Sequence, residues 1–275
     1  MMKDLGQKKS WYYNKDWEQR KNWYSTVADA YNKARPSYSK DLIDRAVELA
    51  FLSPQATILE VGCGPGTATV AFAQLGFSMV CLEPSQELCQ IARHNCAQYP
   101  NVEIRNTTFE ESDLEAESFN AVLAATSFNW ITPEVGYPKV VDVLQDNGAL
   151  VLLWNTVAQP QYEVYQVLEE VYKRHAPSLA RYETKETQQE GLKSFVQSVM
   201  DSGLFKDLVC EQAVCELTYS INDYLALLST YSPYLELDQK SLYSLFEGLR
   251  EKLEQFGESI QLSHLCAFQI ARKHQ

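Results

Sequence analysis

Apolar and polar positions follow two rhythms along the first half of the chain. Residues 39–52, SKDLIDRAVELAFL, carry apolar side chains at helical spacing, with Ser39 as cap, Asp41 in the first turn and Ser53-Pro54 as terminator. The run ATILEV (56–61), short and flanked by breakers, reads as a buried strand. The same signature returns at FSMVCLE (77–83), NVEIR (101–105), FNAVLAAT (119–126) and GALVLLW (148–154). Helices are expected between these runs: one beginning near Gly66, one over 85–97 capped by Ser85, and one over about 134–145.

Strand–helix alternation with continuously apolar strands requires a parallel sheet covered on both faces. Right-handed crossovers then give a doubly wound α/β sheet, with ligands outside the carboxyl ends of the strands. After Trp154 the rhythm changes. Helix-like segments at 161–175, 191–202, 221–230 and 238–256 alternate with longer strand candidates at 207–219 and 258–272. These read as late strands of the same sheet, with helical insertions at about 155–203 and 220–257 that roof its carboxyl edge. A separate all-helical carboxyl-terminal domain is the alternative. The polar run YETKETQQE (182–190) reads as a solvated connector. Residues 1–38 are expected to form a helical lid, and residues 39–275 the main domain.

Composition narrows the classes. At 275 residues with 45% apolar, the chain can bury a full core. It carries 24 basic and 36 acidic residues, a net charge of -12, which disfavours a phosphate-tracking nucleic-acid surface. The seven cysteines are odd in number and show no CxxC pair. With four histidines and no ligand-type spacing to a cysteine, no metal site is expected. Dispersed thiols suit a reducing cytosol, and neither a signal peptide nor a membrane span is expected. The chain reads as cytoplasmic, with no membrane partner and with its oligomeric state open.

The chemistry concentrates in ILEVGCGPGTAT (58–69), which has the form E-x-G-x-G-x-G with Glu60, Gly62, Gly64 and Gly66. A dinucleotide loop would read G-x-G-x-x-G, so the third glycine is out of place for one. Pro65 sits where a missing N–H is harmless. Glu83 ends the second strand, where a carboxylate can accept from both hydroxyls of a ribose. The plain alternative is a tight turn beside a solvated acid; acid, glycines, helix and second acid together favour a nucleoside-type ligand.

These motifs resemble class I S-adenosylmethionine-dependent methyltransferases, of the subgroup that includes trans-aconitate-methyltransferase-like enzymes. ILEVGCGPGTAT is similar to the first motif, CLEPS with Glu83 and Pro84 to the ribose-binding turn, and TTFEES (107–112) to the adenine-side motif. SFNAVLAATSFNWI (118–131), ending the fourth strand at Thr126, resembles the family's fourth-strand motif. VADAYNKARPSYS (27–39) and LLSTYSPYLEL (227–237) are similar to subgroup segments, so the resemblance spans most of the chain. It implies a mainly parallel, seven-stranded Rossmann-like sheet and S-adenosyl-L-methionine as cofactor. By the same resemblance Glu60 orders the methionine ammonium through water, Gly62 lines its backbone, and Thr108, Phe109 and Glu110 lie by the adenine. Tyr31 and Arg35, on a helical face with Tyr24 and Ala28, would hold the cofactor carboxylate or an acidic substrate; a surface helix with Arg35 in water is the alternative.

Three departures matter: Thr108 stands where the family often has an acid, Asn120 where it has aspartate, and Asn129 where His-Trp is common. No catalytic residue is assigned with certainty. Asn129, Trp130, Tyr231 and Ser232 are the substrate-pocket candidates; Phe128 and Trp130 read as walls of the methyl-transfer channel, with two aromatics capping the core as the alternative. Methyl transfer from a sulfonium needs alignment and dryness more than acid–base chemistry. Without a base at Asn129, the reading favours a small acceptor that is already ionised, such as a carboxylic acid. A non-catalytic cofactor-binding protein and an NAD-dependent oxidoreductase are the rival readings. The aromatic-rich stretch 11–24 fits a lid, amino-terminal packing or a dimer contact, and His175 and His264 read as ordinary.

Overall fold

The computed structural model describes residue 19 and residues 21–274; most of the aromatic-rich stretch expected to act as a lid lies outside the described residues. Eight strands form one sheet: β1 Thr57–Val61, β2 Ser78–Leu82, β3 Val102–Arg105, β4 Phe119–Ala125, β5 Leu144–Asn155, β6 Gln159–Pro160, β7 Phe205–Ser220 and β8 Ser259–Lys273. Their order is β3-β2-β1-β4-β5-β8-β6, and β7 also pairs with β8. Strands β1 to β5 are mutually parallel, and β8 runs antiparallel to β5, β6 and β7.

The expected count was seven strands. The eighth, β6, pairs Gln159 with Ser263 just beyond the Asn155–Cys266 pair, so it continues the β5 edge after a short break. The two late strand candidates both join the sheet, which removes the alternative of a separate all-helical domain.

The described helices are α1 Ala28–Ala34, α2 Lys40–Leu49, α3 Thr67–Ala73, α4 Gln86–Asn95, α5 Pro133–Val143, α6 Tyr162–His175, α7 Lys185–Asp201, α8 Ile221–Ser229, α9 Ser232–Leu235 and α10 Gln239–Leu253. Ser39 and Ser85 cap α2 and α4 by accepting from Leu42 N and Leu88 N, as their sequence positions require. Helix α7 begins earlier than expected, with Thr184 capping it through Thr187 N. The connector expected over 182–190 is therefore helical from Lys185, and Gln188 is buried, bonded to Thr156 and to the Val157 carbonyl.

Successive strand residues face opposite sides of a sheet, and here that alternation builds two cores. Ile58, Met79, Leu123 and Val151 pack with α2 and α3; Leu59, Val122, Leu150 and Leu152 pack with α5 and α7. A third cluster joins α6, α8 and α10 to Ile260 and Leu262 of β8, tying these helices to the sheet. Strand order reverses between β1 and β4, so their carboxyl ends open a crevice at the switch point. Among the described residues no helix is long and apolar enough to cross a membrane.

Candidate functional site

The chain leaves β1 at Val61 and must turn at once to enter α3. Gly62, Gly64 and Gly66 all adopt left-handed backbone, with φ of 68°, 57° and 89°. Side chains disfavour that region sterically, which accounts for glycine there. A Cβ at Gly62 would also lie 2.8 Å from Ser127 Cβ, so two chain segments meet here without room for a side chain. Gly66 differs: its Cβ would meet Cys96 Sγ at 3.3 Å and Ala92 Cα at 3.6 Å. It lets α3 approach α4, and it lines neither cavity beside the loop. The structure thus gives Gly66 a packing reason beside its expected cofactor contact.

Two buried carboxylates brace the loop. Glu83 accepts from Gly64 N through Oε2 and from Ser85 N through Oε1, both at 2.9 Å. A carboxylate has about four acceptor positions, so two remain, and the residue lines the adjoining cavity. Glu60 is fully buried; its Oε2 accepts from Thr69 Oγ1 at 2.6 Å, while Oε1 has no partner. Burial pushes both carboxyls up from the ordinary range to about 7, although hydrogen bonds oppose the shift at each.

A cavity of about 120 Å³ lies between the loop and the ends of β2 and β4. Gly62, Gly64, Glu83 and Pro84 form one side, and Thr108, Phe109 and Glu110 another. Thr108 Oγ1 accepts from Glu111 N at 3.1 Å, so its hydroxyl is tied into the local turn. Thr126 closes the end of β4 in left-handed backbone, φ 55°, where its hydroxyl meets Tyr38 at 2.7 Å and accepts from Asn155 N at 3.1 Å.

Behind this cavity a chamber of about 860 Å³ opens between the sheet edge and the inserted helices. Tyr24, Tyr31, Thr126 and Trp130 line both spaces, so the two share a wall. Tyr24 stands edge-on to Tyr31 and to Trp130, and its hydroxyl meets Ser232 Oγ at 2.8 Å. Arg35 donates to Thr230 Oγ1 at 2.8 Å and to the Thr230 carbonyl at 2.7 Å. Its guanidinium lies over the rings of Tyr31 and Tyr231, and the titratable groups that act on it are tyrosines. Arg35 is thus not a solvated surface residue. Burial raises the phenol of Tyr231 and pushes those of Tyr24, Tyr172, Tyr224 and Tyr234 well above their ordinary value, so the phenols lining the chamber stay protonated.

All four substrate-pocket candidates, Asn129, Trp130, Tyr231 and Ser232, line the chamber, and no histidine does among the described residues. The Tyr231 hydroxyl accepts from Ala158 N at 3.2 Å, so its polar end is already engaged. Phe128 is buried and packs on Tyr137, which makes it a core residue. Asn120 is structural: it accepts from Thr57 N at 2.8 Å and donates to Gln145 Oε1 at 2.7 Å near the start of β4, far along the strand from the site. Tyr38, Ser127 and Asn155 also line the cavities beside the loop, and sequence reasoning did not single them out.

The geometry agrees with what this chain resembles. Residues 58–148 match the family model described as a methyltransferase domain. An uncharacterised methyltransferase of Mycobacterium tuberculosis is 33% identical over 135 residues, covering 48% of this chain and 52% of the relative, so the chain spans about half the length of such curated relatives. Among solved structures, a protein provisionally named a type II methyltransferase, from Anaeromyxobacter dehalogenans, is 18% identical with a TM-score of 0.61, covering 86% of this chain and 97% of that one. The Haemonchus contortus phosphoethanolamine N-methyltransferase 2, in complex with phosphomonomethylethanolamine and S-adenosylhomocysteine, is 16% identical with a TM-score of 0.53, covering 94% of this chain and 59% of that one. Residues 58–148 are accordingly similar to methyltransferase domains, and the sheet has the Rossmann-like fold of the solved methyltransferase structures.

Proposed function

We propose that this chain binds S-adenosyl-L-methionine in the cavity beside the glycine loop and methylates a small carboxylic acid held in the chamber behind it. The wall shared by cavity and chamber, at Tyr24, Tyr31, Thr126 and Trp130, carries the proposal. The lining suits an adenosyl sulfonium: bare backbone at Gly62 and Gly64, and free acceptor positions on Glu83. When bound, the cofactor supplies an electrophilic methyl on a sulfonium.

The chain's own residues then position and exclude. Glu83 accepts from the ribose hydroxyls, and Glu60 holds the methionine ammonium through water. Thr108, Phe109 and Glu110 flank the adenine. Tyr24 and Trp130 narrow the passage and keep it dry, which disfavours a solvated ion pair relative to the dispersed charge of methyl transfer. Proximity and alignment of this kind can supply about 7–11 kcal/mol. Arg35 and the buried phenols around it give the chamber donors for a carboxylate. Such an acceptor needs no general base, in keeping with a chamber that no histidine lines among the described residues. The inserted helices α6, α8 and α9, with Tyr24 and helix α1, act as its roof.

The net charge of -12 speaks against nucleic acid as the acceptor. Incubation with radiolabelled methyl donor and panels of carboxylic acids, alcohols and amines tests the reading. Labelled, base-labile methyl esters from the acid panel are expected. Methylation of only alcohols or amines, or label on polymer alone, would overturn the acceptor assignment; a bound donor with no product from any panel would overturn the activity.

A further inference from the structure

Three metal-ligating side chains meet on the β7–β8 ladder. Cys215 pairs in register with His264, and Cys266 follows two residues on, so strand alternation puts His264 and Cys266 on one face. Cys215 Sγ lies 2.8 Å from Cys266 Sγ, and Cys266 Sγ lies 3.2 Å from His264 Nε2. All three ligand atoms fall within 4.8 Å of one another. His264 is only 2% exposed; Nε2 faces the thiol, and Nδ1 is buried without a partner. Buried polar groups ordinarily find partners, so an imidazole whose one polar contact is a thiol calls for a reason.

We propose that Cys215, His264 and Cys266 form a binding site for a thiophilic divalent cation of the zinc type. Two thiolates and an imidazole are a donor set for zinc and not for magnesium or calcium. Tetrahedral bonds of about 2.3 Å to sulfur and about 2.0 Å to nitrogen would separate the sulfurs by roughly 3.8 Å and sulfur from nitrogen by roughly 3.5 Å. Cys215 is half-buried on a strand that pairs only with β8, so its side chain can give the distance the sulfurs need. Asn155 Oδ1, 2.9 Å from Cys266 Sγ, brings an oxygen for the fourth position. Asn155 also donates to the Pro36 carbonyl at 3.1 Å, so the cation would clamp β7 to β8 and steady one wall of the chamber. A Cys215–Cys266 disulfide is the competing outcome. Diagonal cross-strand positions are poorly spaced for one, and it would leave His264 without a function.

The test uses the full chain, reduced and stripped with chelator, then titrated with cobalt(II) and next with zinc(II). One cobalt per chain is expected, with a thiolate-to-cobalt charge-transfer band and tetrahedral d–d bands, all displaced by zinc. Zinc should also raise the thermal unfolding midpoint. Cys215→Ser and His264→Gln should each weaken cobalt binding roughly tenfold or more, while Cys210→Ser, exposed on the same strand, should not. Three results would overturn the site: no charge-transfer band in a chain with native circular dichroism, a band that survives both ligand substitutions, or a Cys215–Cys266 disulfide that persists in excess thiol.

Discussion

Replacing Gly62 with alanine sets two separable costs against each other. The backbone there has φ 68°, where a Cβ costs about 1–2 kcal/mol. The new methyl would also sit 2.8 Å from Ser127 Cβ, displacing a side chain whose hydroxyl donates to the Val61 carbonyl. Overpacking of that kind costs about 1–3 kcal/mol more. Gly76 supplies the control: its φ is 91°, but a Cβ there meets nothing within 4 Å. Gly76→Ala should therefore show the backbone cost alone. Restricting the unfolded chain returns about 0.4–1 kcal/mol in both variants and cancels in their difference. Urea titrations of the two variants should differ by about 1–3 kcal/mol, with Gly62→Ala the weaker. S-adenosylhomocysteine affinity should fall only in Gly62→Ala, because Ser127 and Gly62 line the cavity. Equal losses of stability in the two variants would refute the claim that the β1 and β4 ends are too close for a side chain.

Other outcomes follow from the same contacts. Glu60 and Glu83 have carboxyls raised by burial from 4.5 to about 7, so the folded, ligand-free chain holds protons that the unfolded chain releases. Their contribution to stability is then full below about pH 4.5 and lost as pH rises through about 7. The urea midpoint should fall over that window, and Glu60→Gln should flatten the slope; a wild-type midpoint insensitive to pH from 5 to 8 (approximate bounds from the same linkage) would count against the burial argument. Arg35→Met removes both bonds to Thr230 and should cost about 1.5–3 kcal/mol in denaturation, together with weaker binding of a carboxylate-bearing ligand in calorimetry. Tyr24→Phe keeps the ring against Trp130 but loses the contact with Ser232. It should cost about 0.5–1.5 kcal/mol and leave cofactor affinity nearly unchanged, as measured by thermal melts with and without S-adenosylhomocysteine.

Much of the sheet was legible because a buried parallel strand is mostly apolar, and ATILEV, FSMVCLE and FNAVLAAT are so between flanking breakers, with the few polar residues in them, such as Glu60 and Glu83, marking the site end. The glycine loop was legible for a similar reason, since positive φ leaves few alternatives to glycine. Gly66 shows the limit: its φ demanded glycine, but whether the space above it held ligand or helix depended on where Ala92 and Cys96 would lie. The segment 182–190 looked solvated because it is polar, yet Gln188 is buried by partners on Thr156 and Val157 that no local pattern reveals. The Cys215–His264–Cys266 group was missed because one ligand comes from β7 and two from β8, and register alone joins them. Asn120 looked like a lost functional acid; its bonds to Thr57 and Gln145 mark it as a strap between strand beginnings.

The central claim is that the crevice between β1 and β4 takes an adenosyl sulfonium, with Glu83 as its ribose acceptor. Isothermal calorimetry with S-adenosylhomocysteine, wild type against Glu83→Ala, tests it most directly. One site per chain is predicted in the wild type, with heat lost or sharply reduced in the variant and none from NADH. No heat with S-adenosylhomocysteine, or saturable binding of NADH in its place, would contradict the account.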